Sequence, residues 1–209
     1  IGAIGIGVKT KEGIVMVAEK RLPNKLIVSS SLKKIWKIDD HIFMCSSGLT
    51  PDATKLYELA LDYSFKHFNT FGEPISVSGI AKILSEEYGK FAAIDKDSKS
   101  GRVYGCSLLL GGYDAIDRYR LYYLNPSGSY VSYYGKSIGS GSLSADLDLK
   151  TGFDENMSFE DATKMVLTSL KSVMEEEIAP NNIDIGMLNK EGLKIMNEEE
   201  KKHIIETVL

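Results

Sequence analysis

The hydrophobic period of this chain switches in blocks between the two-residue beat of strands and the 3.6-residue beat of helices, and that order constrains the fold more than any motif. The first 46 residues carry short β-rich runs, AIGIGV, GIVMVAE, LIV, KIWKI and HIFMCSS, separated by turn-forming residues. LTPDATKLYELALDYSFKHF then takes up helical spacing, with Thr50 as N-cap, Pro51 at the first helical position and Asp52 in the first turn. Ala53, Leu56, Tyr57, Ala60, Leu61 and Phe68 fall on its one stripe, and a second helix carries Ile80, Ile83, Leu84, Tyr88 and Phe91 on its buried side. KDSKSGR follows as a charged, solvated loop.

Strands return in VYGCSLLLGGYD and RYRLYYLNPSGSYVSYYGKSIGSGS, where Asn125-Pro126-Ser127-Gly128 reads as a hairpin turn because proline presets φ and glycine supplies positive φ. A short helix follows Ser142, and a longer one begins at Ser158 with Asp161 approximating a capping box before Met165, Val166, Leu170 and Val173. NIDIGMLN and LKIM are the last strands. Asn197 caps an end helix whose Glu198–Glu200 precede Lys201–Lys202, the charge order its dipole favours. Helices in pairs between blocks of antiparallel strands predict an α+β chain with two stacked antiparallel sheets, each covered outside by helices, in a four-layer αββα sandwich. Five prolines and no Ser/Gly-rich tract leave no linker, so residues 1–209 read as one domain.

The opening IGAIGIGVKTKEG has G-x-x-G-x-G followed by another strand, the wrong order and context for a phosphate cradle. Its glycines suit places where two sheets or a neighbouring chain come close. A net charge of −4 argues against nonspecific nucleic-acid binding, and no apolar run reaches the roughly 18–20 residues of a membrane span. Cys45 and Cys106 each sit inside an apolar run and read as buried, reduced thiols of a soluble intracellular protein. His41, His67 and His203 are scattered and no C-x-x-C pair occurs, so no metal site and no cofactor is expected. The sequence begins at Ile1 without a methionine, signal or transit segment, which suggests that the native N-terminus lies upstream.

Six segments in order, VKTKEGIVMVAEKR, LKKIWKIDDHIFMCSSGLTPDA, YGCSLLL, LYYLNPSGS, KSIGSGS and APNNIDI, resemble landmarks of the proteasome subunits, a threonine-protease family of N-terminal-nucleophile hydrolase fold. SSGL..DA and YYLNPSG resemble the alpha-ring rather than the catalytic beta kind, and VMEEEIAPNNIDI is closest to alpha type-5. In active beta subunits a threonine follows a glycine at the start of the first strand, and its hydroxyl attacks with help from its own freed α-amino group. Aligned on KTKEG, Gly2 takes the place of that glycine and Ala3 that of the nucleophile. The resemblance puts Glu19 where active subunits carry aspartate, matches Lys34 to the lysine that lowers the nucleophile's proton affinity, and places Ser140 in the GSGS loop. APNN at Ala179–Asn182 departs from the Ser-Gly-Gly run of active subunits. Ser140 reads as a turn serine, since no His or Asp stands at triad-like spacing.

The resemblance therefore implies a non-catalytic alpha subunit of the 20S core particle in ubiquitin-dependent degradation, in cytoplasm and nucleus. Its implied partners are other alpha subunits in a seven-membered ring, beta-ring subunits, and regulatory ATPases or other activators. A trimmed or altered active hydrolase and an assembly scaffold are the rival readings; the family's N-terminal helix and gating tail do not occur in residues 1–209. Strand alternation in SLKKIWKID puts Lys34, Trp36 and Ile38 on one face and Ile35 and Lys37 on the other, so Lys34 leaves a mostly apolar side, where a cation usually has an anionic partner. The bland alternative is a strand lysine with its ammonium in water. The resemblance implies that Lys34, Gly48 and Leu49 line a pocket for activator C-terminal tails.

Overall fold

The computed structural model describes residues 2–24, 26–92 and 102–209, with the side chains of residues 91 and 92 excepted. In chain order the elements are β1 (Gly5–Lys9), β2 (Gly13–Glu19), β3 (Ile35–Asp39), β4 (Ile42–Gly48), α1 (Thr50–Phe71), α2 (Val77–Ala92), β5 (Cys106–Asp114), β6 (Arg118–Leu124) and β7 (Tyr130–Ser132). They continue with β8 (Gly135–Ile138), α3 (Ser142–Gly152), α4 (Phe159–Val173), β9 (Ile183–Asn189), β10 (Gly192–Ile195) and α5 (Glu198–Val208). Two five-stranded antiparallel sheets result, ordered β10-β9-β2-β1-β8 and β3-β4-β5-β6-β7.

Three apolar clusters make the layering visible. Val15 and Val17 of β2 pack with Ala162, Val166 and Leu170 of α4, while their neighbours Ile14, Met16 and Ala18 face Phe43, Cys45 and Leu109 of the other sheet. That sheet's far side, through Met44, Leu108 and Leu110, packs on Leu56 and Ala60 of α1 and on Ile80 and Leu84 of α2. Alternation along the central strands thus serves two cores at once, and the stack is α, β, β, α as the sequence predicts. The glycines of β1 serve the space between the sheets: a Cβ on Gly5 would lie 2.6 Å from the Cys45 sulfur.

Local expectations fare unevenly. The turn at Asn125–Gly128 joins β6 to β7, with Gly128 at φ +87° and the Asn125 side chain accepting the Ser127 and Ser129 N–H groups. Ser158 and Asn197 cap α4 and α5, and the Asn197–Glu200 capping box is complete. Thr50 is not the N-cap of α1. That place falls to Leu49, whose N–H is held by the Gly105 carbonyl, so the helix opens one residue earlier than Thr50 as cap would allow. Phe68 leaves the predicted buried stripe and is 54% exposed. LIV is not a strand: Leu26 and Val28 are exposed, and side-chain bonds from Asn24 and Ser31 fold the segment into a turn and a 3-10 turn at Ser29–Ser31. The expected burial of Phe91 and most of KDSKSGR lie outside the described residues. Arg102, the last residue of that run, is no free loop charge, because its guanidinium grips Asp52 through two 2.7 Å bonds.

Candidate functional site

Strand register gathers the family-matched residues at one end of the sandwich. Gly5 pairs with Ala18 and with Ile138, and Glu19 with Ile183, so the start of β1, the end of β2, the end of β8 and the start of β9 meet in one sheet. In the other sheet Ile35 pairs with Cys45, which sets Lys34 beside the Ser46–Gly48 end of β4. Two bonds tie the sheets together there: the Lys34 backbone N–H donates to Asp184 Oδ2 at 2.8 Å, and Ser47 Oγ donates to the Ala3 carbonyl at 2.7 Å.

The residues that match the catalytic set are fastened to one another. Ala3 is buried and offers no hydroxyl, and its backbone is held on both sides: the Ser140 N–H donates to the Gly2 carbonyl at 2.9 Å, and the Ile4 N–H to Glu19 Oε2 at 3.4 Å. The same Glu19 oxygen accepts Arg21 Nε at 3.1 Å, and the other arm of that guanidinium donates to Ser140 Oγ at 2.7 Å. A serine becomes a nucleophile when a base takes its proton, whereas a guanidinium has no lone pair to take one. Ser140 is therefore a turn serine pinned by a cation, as its sequence context suggests.

Cys45 and Cys106 are both free and buried. Burial pushes the Cys45 thiol up to about 12; nearby Lys34 works against that shift and Asp184 adds to it. Burial raises the Cys106 thiol too, with the Tyr88 hydroxyl opposing. Neither thiol forms a useful population of thiolate near neutral pH. Asn182 of the APNN run is a structural residue: its amide accepts the Ala179 N–H and donates to the Glu177 carbonyl, shaping the turn into β9.

Lys34 lies buried just ahead of β3, and the alternation predicted for the strand holds, with Trp36 and Ile38 in the core beneath the helices and Ile35 between the sheets. The expected anionic neighbour is Asp184, but it accepts Lys34's backbone N–H; among the described residues no ion pair involves the Lys34 ammonium. Gly48 has φ +122° and a Cβ there would meet the Gly105 carbonyl at 2.3 Å, so the crossing from β4 to α1 requires glycine. Leu49 stands half-exposed at the mouth of α1. Lys34, Gly48 and Leu49 thus share one end of the second sheet, on adjacent strand ends.

Sequence reasoning did not single out Arg21, Ser47 or Asp184. The EKR run at Glu19–Arg21 held a usable signal: alternation at a strand end turns Glu19 and Arg21 one way and Lys20 the other. Asp184 had none, because its role depends on a partner 150 positions away.

Two stacked antiparallel sheets between helix layers are the frame of the proteasome fold. Residues 2–188 match the family model described as "Proteasome subunit", and the chain belongs to that family. It is similar to proteasome subunit alpha type-5 of Dictyostelium discoideum, at 32% identity over 98% of this chain and 86% of that protein. It is also similar to the probable alpha type-5 subunit of Schizosaccharomyces pombe, at 35% identity over 96% of this chain and 82% of that one. The proteasome subunit alpha of Archaeoglobus fulgidus is 32% identical over 98% of this chain and 82% of its own length.

Proposed function

We propose that the chain is a non-catalytic alpha-ring subunit of the proteasome core particle, serving protein degradation by building the outer ring rather than by cutting peptides. The observation that carries this reading is the state of the attack position. Ala3 has no hydroxyl, its nitrogen is bound in a peptide link to Gly2, and the nearby serines are engaged, Ser140 by Arg21 and Ser47 with the Ala3 carbonyl to which it donates. Acyl transfer starts with an attacking group, and none stands here. The similarity to alpha subunits from a slime mould, a yeast and an archaeon supports the same reading. In that role the chain assembles with other alpha subunits in a seven-membered ring and rests on beta-ring subunits, in cytoplasm and nucleus.

The finer part of the proposal is that Lys34, Gly48 and Leu49 receive the C-terminal tail of an activator such as a regulatory ATPase. A lysine ammonium with no ion pair among the described residues, at the same sheet end as a half-exposed leucine, suits a chain-end carboxylate with an apolar residue near it. A charge-assisted contact of this kind contributes about 1.5–3 kcal/mol, or roughly ten- to a hundredfold in affinity. Titration of tail peptides onto assembled particles tests it: Lys34→Ala weakens binding by that factor while Lys33→Ala leaves it unchanged. Equal affinity for the Lys34 variant would make Lys34 a buried structural lysine rather than a tail receptor.

A further inference from the structure

Beside the end of β2 and the start of β9, a cavity of about 770 Å³ opens between the 3-10 turn, β3, α1 and the junction of β10 with α5. Its floor holds two lysines whose side chains are almost completely buried, Lys20 at 2% and Lys201 at 4% exposed, and one carboxylate, Asp184. Lys20 Nζ donates to Asp184 Oδ1 at 3.1 Å and to the Ser29 carbonyl at 3.0 Å. Lys201 Nζ donates to the Ile183 carbonyl at 3.0 Å and stands 3.8 Å from the same Asp184 oxygen, beyond hydrogen-bond reach. Asp184's other oxygen is spent on the Lys34 N–H.

The donor count does not close within the described protein. An ammonium has three N–H donors. Lys20 uses two on the protein and Lys201 one, so three remain, and two positive charges share one negative. Isolated buried charge is among the most costly arrangements a fold can hold, and it persists where something else neutralises it. Glu198 does so only in part: it favours the charged form of Lys201 from the exposed rim, where it accepts the Ser29 hydroxyl at 2.6 Å. The rim adds cations, since Lys33 and Lys37 also line the cavity, Lys37 being paired outward with Asp40. The walls supply apolar surface from Leu32, Trp36 and Met196.

We propose that this cavity is a binding site for a small oxyanion, a phosphate or a carboxylate, held by the unspent N–H donors of Lys20 and Lys201. Two oxygens of one anion take the free donors and supply the missing negative charge. Burial, then the neighbouring Lys20, lower the proton affinity of Lys201 against the pull of Asp184 and Glu198, and a bound anion would add to that pull. Nothing in this site depends on Lys34's ammonium, Gly48 or Leu49, so it stands or falls apart from activator binding.

Equilibrium dialysis of assembled particles against labelled inorganic phosphate and labelled benzoate tests it, the two probes separating a phosphate site from a carboxylate site. The expected result is a saturable component for at least one probe, weakened roughly tenfold or more by Lys201→Met. Asp184→Asn, which removes the competing charge but keeps an acceptor, tightens the same component. Should Lys201→Met fail to assemble, acetylation mapped on unmodified particles gives the readout: the bound anion slows modification of Lys201 but not of Lys202. Binding of both probes that Lys201→Met leaves intact, or Lys201 acetylation indifferent to both, overturns the proposal.

Discussion

Glu19 and Lys20 are adjacent in sequence, yet they belong to two charge clusters built on opposite plans. Glu19 joins a balanced group: one carboxylate, one guanidinium, one serine hydroxyl and one backbone N–H, with Arg21 half in water. Lys20 joins an unbalanced one, in which two buried ammoniums share a single carboxylate over a cavity. A period-2 strand end delivers neighbours to opposite faces, and the two faces meet different needs. The balanced group locks the backbone around Ala3 and leaves no reactive function. The unbalanced group keeps unspent donors and therefore a capacity to bind.

The largest effect expected from this contrast is at Asp184. Asp184→Ala strips both buried lysines of the carboxylate they share and frees the Lys34 N–H, and breaking a buried pair by removing one partner costs about 3–5 kcal/mol. Glu19→Ala leaves a half-exposed Arg21 that water can serve, and costs about 1 kcal/mol. Hydrogen exchange on assembled particles reads both as lost amide protection, at β3 and β9 for Asp184 and at the start of β1 for Glu19. Equal losses at the two sites would mean that charge balance is not what separates them.

A third cluster sharpens the comparison through pH. Asp52 is buried at the start of α1, receives both arms of Arg102 and accepts the Gly105 N–H at 2.7 Å, so it is of the balanced kind. The guanidinium holds its carboxyl below the ordinary value, aided by the Gly105 amide and opposed by burial. A carboxyl depressed in the folded state gives stability that is complete above the unfolded value, about 3.9, and lost as pH falls through the folded value. Lys201 behaves in the opposite sense. Its proton affinity is lowered on folding, chiefly by burial, so its charged form opposes folding and that cost disappears as pH rises past the folded value toward about 10.4. Exchange protection at the α1–β5 junction therefore falls in acid and Asp52→Asn flattens that fall, whereas Lys201→Met removes an alkaline gain at β9. An acid profile that Asp52→Asn leaves unaltered would assign the loss to other carboxylates.

The layer order was legible in the sequence because it rests on periodicity, which every strand and helix repeats. The caps at Ser158 and Asn197 were legible because each is settled within four residues. Errors arose where a distant partner decides: the Gly105 carbonyl takes the Leu49 N–H and shifts the start of α1, and local serine and asparagine bonds outcompete a ladder at Leu26–Val28. The same distance hid the buried state of Lys201, which helix spacing and charge order present as an ordinary surface lysine beside Lys202. Ala3 was legible as a chemical absence, but the lock around it was not, since Arg21 reaches Ser140 across 119 residues of chain.

The smallest effect on activity is expected at Ala3 itself, and it bears on what a balanced cluster can do. Ala3→Thr adds a hydroxyl at the position the proposed function aligns with the nucleophile, at a stability cost of about 1–3 kcal/mol for overfilling a buried site. It does not create a nucleophile. The amine that would serve as base stays in the peptide bond to Gly2, Ser140 Oγ remains under the Arg21 guanidinium, and the nearby Glu19 carboxylate is a weak base engaged by Arg21 and the Ile4 N–H, so the base an N-terminal nucleophile relies on is missing. The expected outcome is no turnover of fluorogenic peptides attributable to this chain and no adduct with electrophiles that trap N-terminal threonines. Intact-mass measurement of the chain separates its own modification from any activity elsewhere in the assembly. An adduct on the Ala3→Thr chain would show that the surrounding bonds can yield a working site, and that the missing hydroxyl alone keeps this subunit silent.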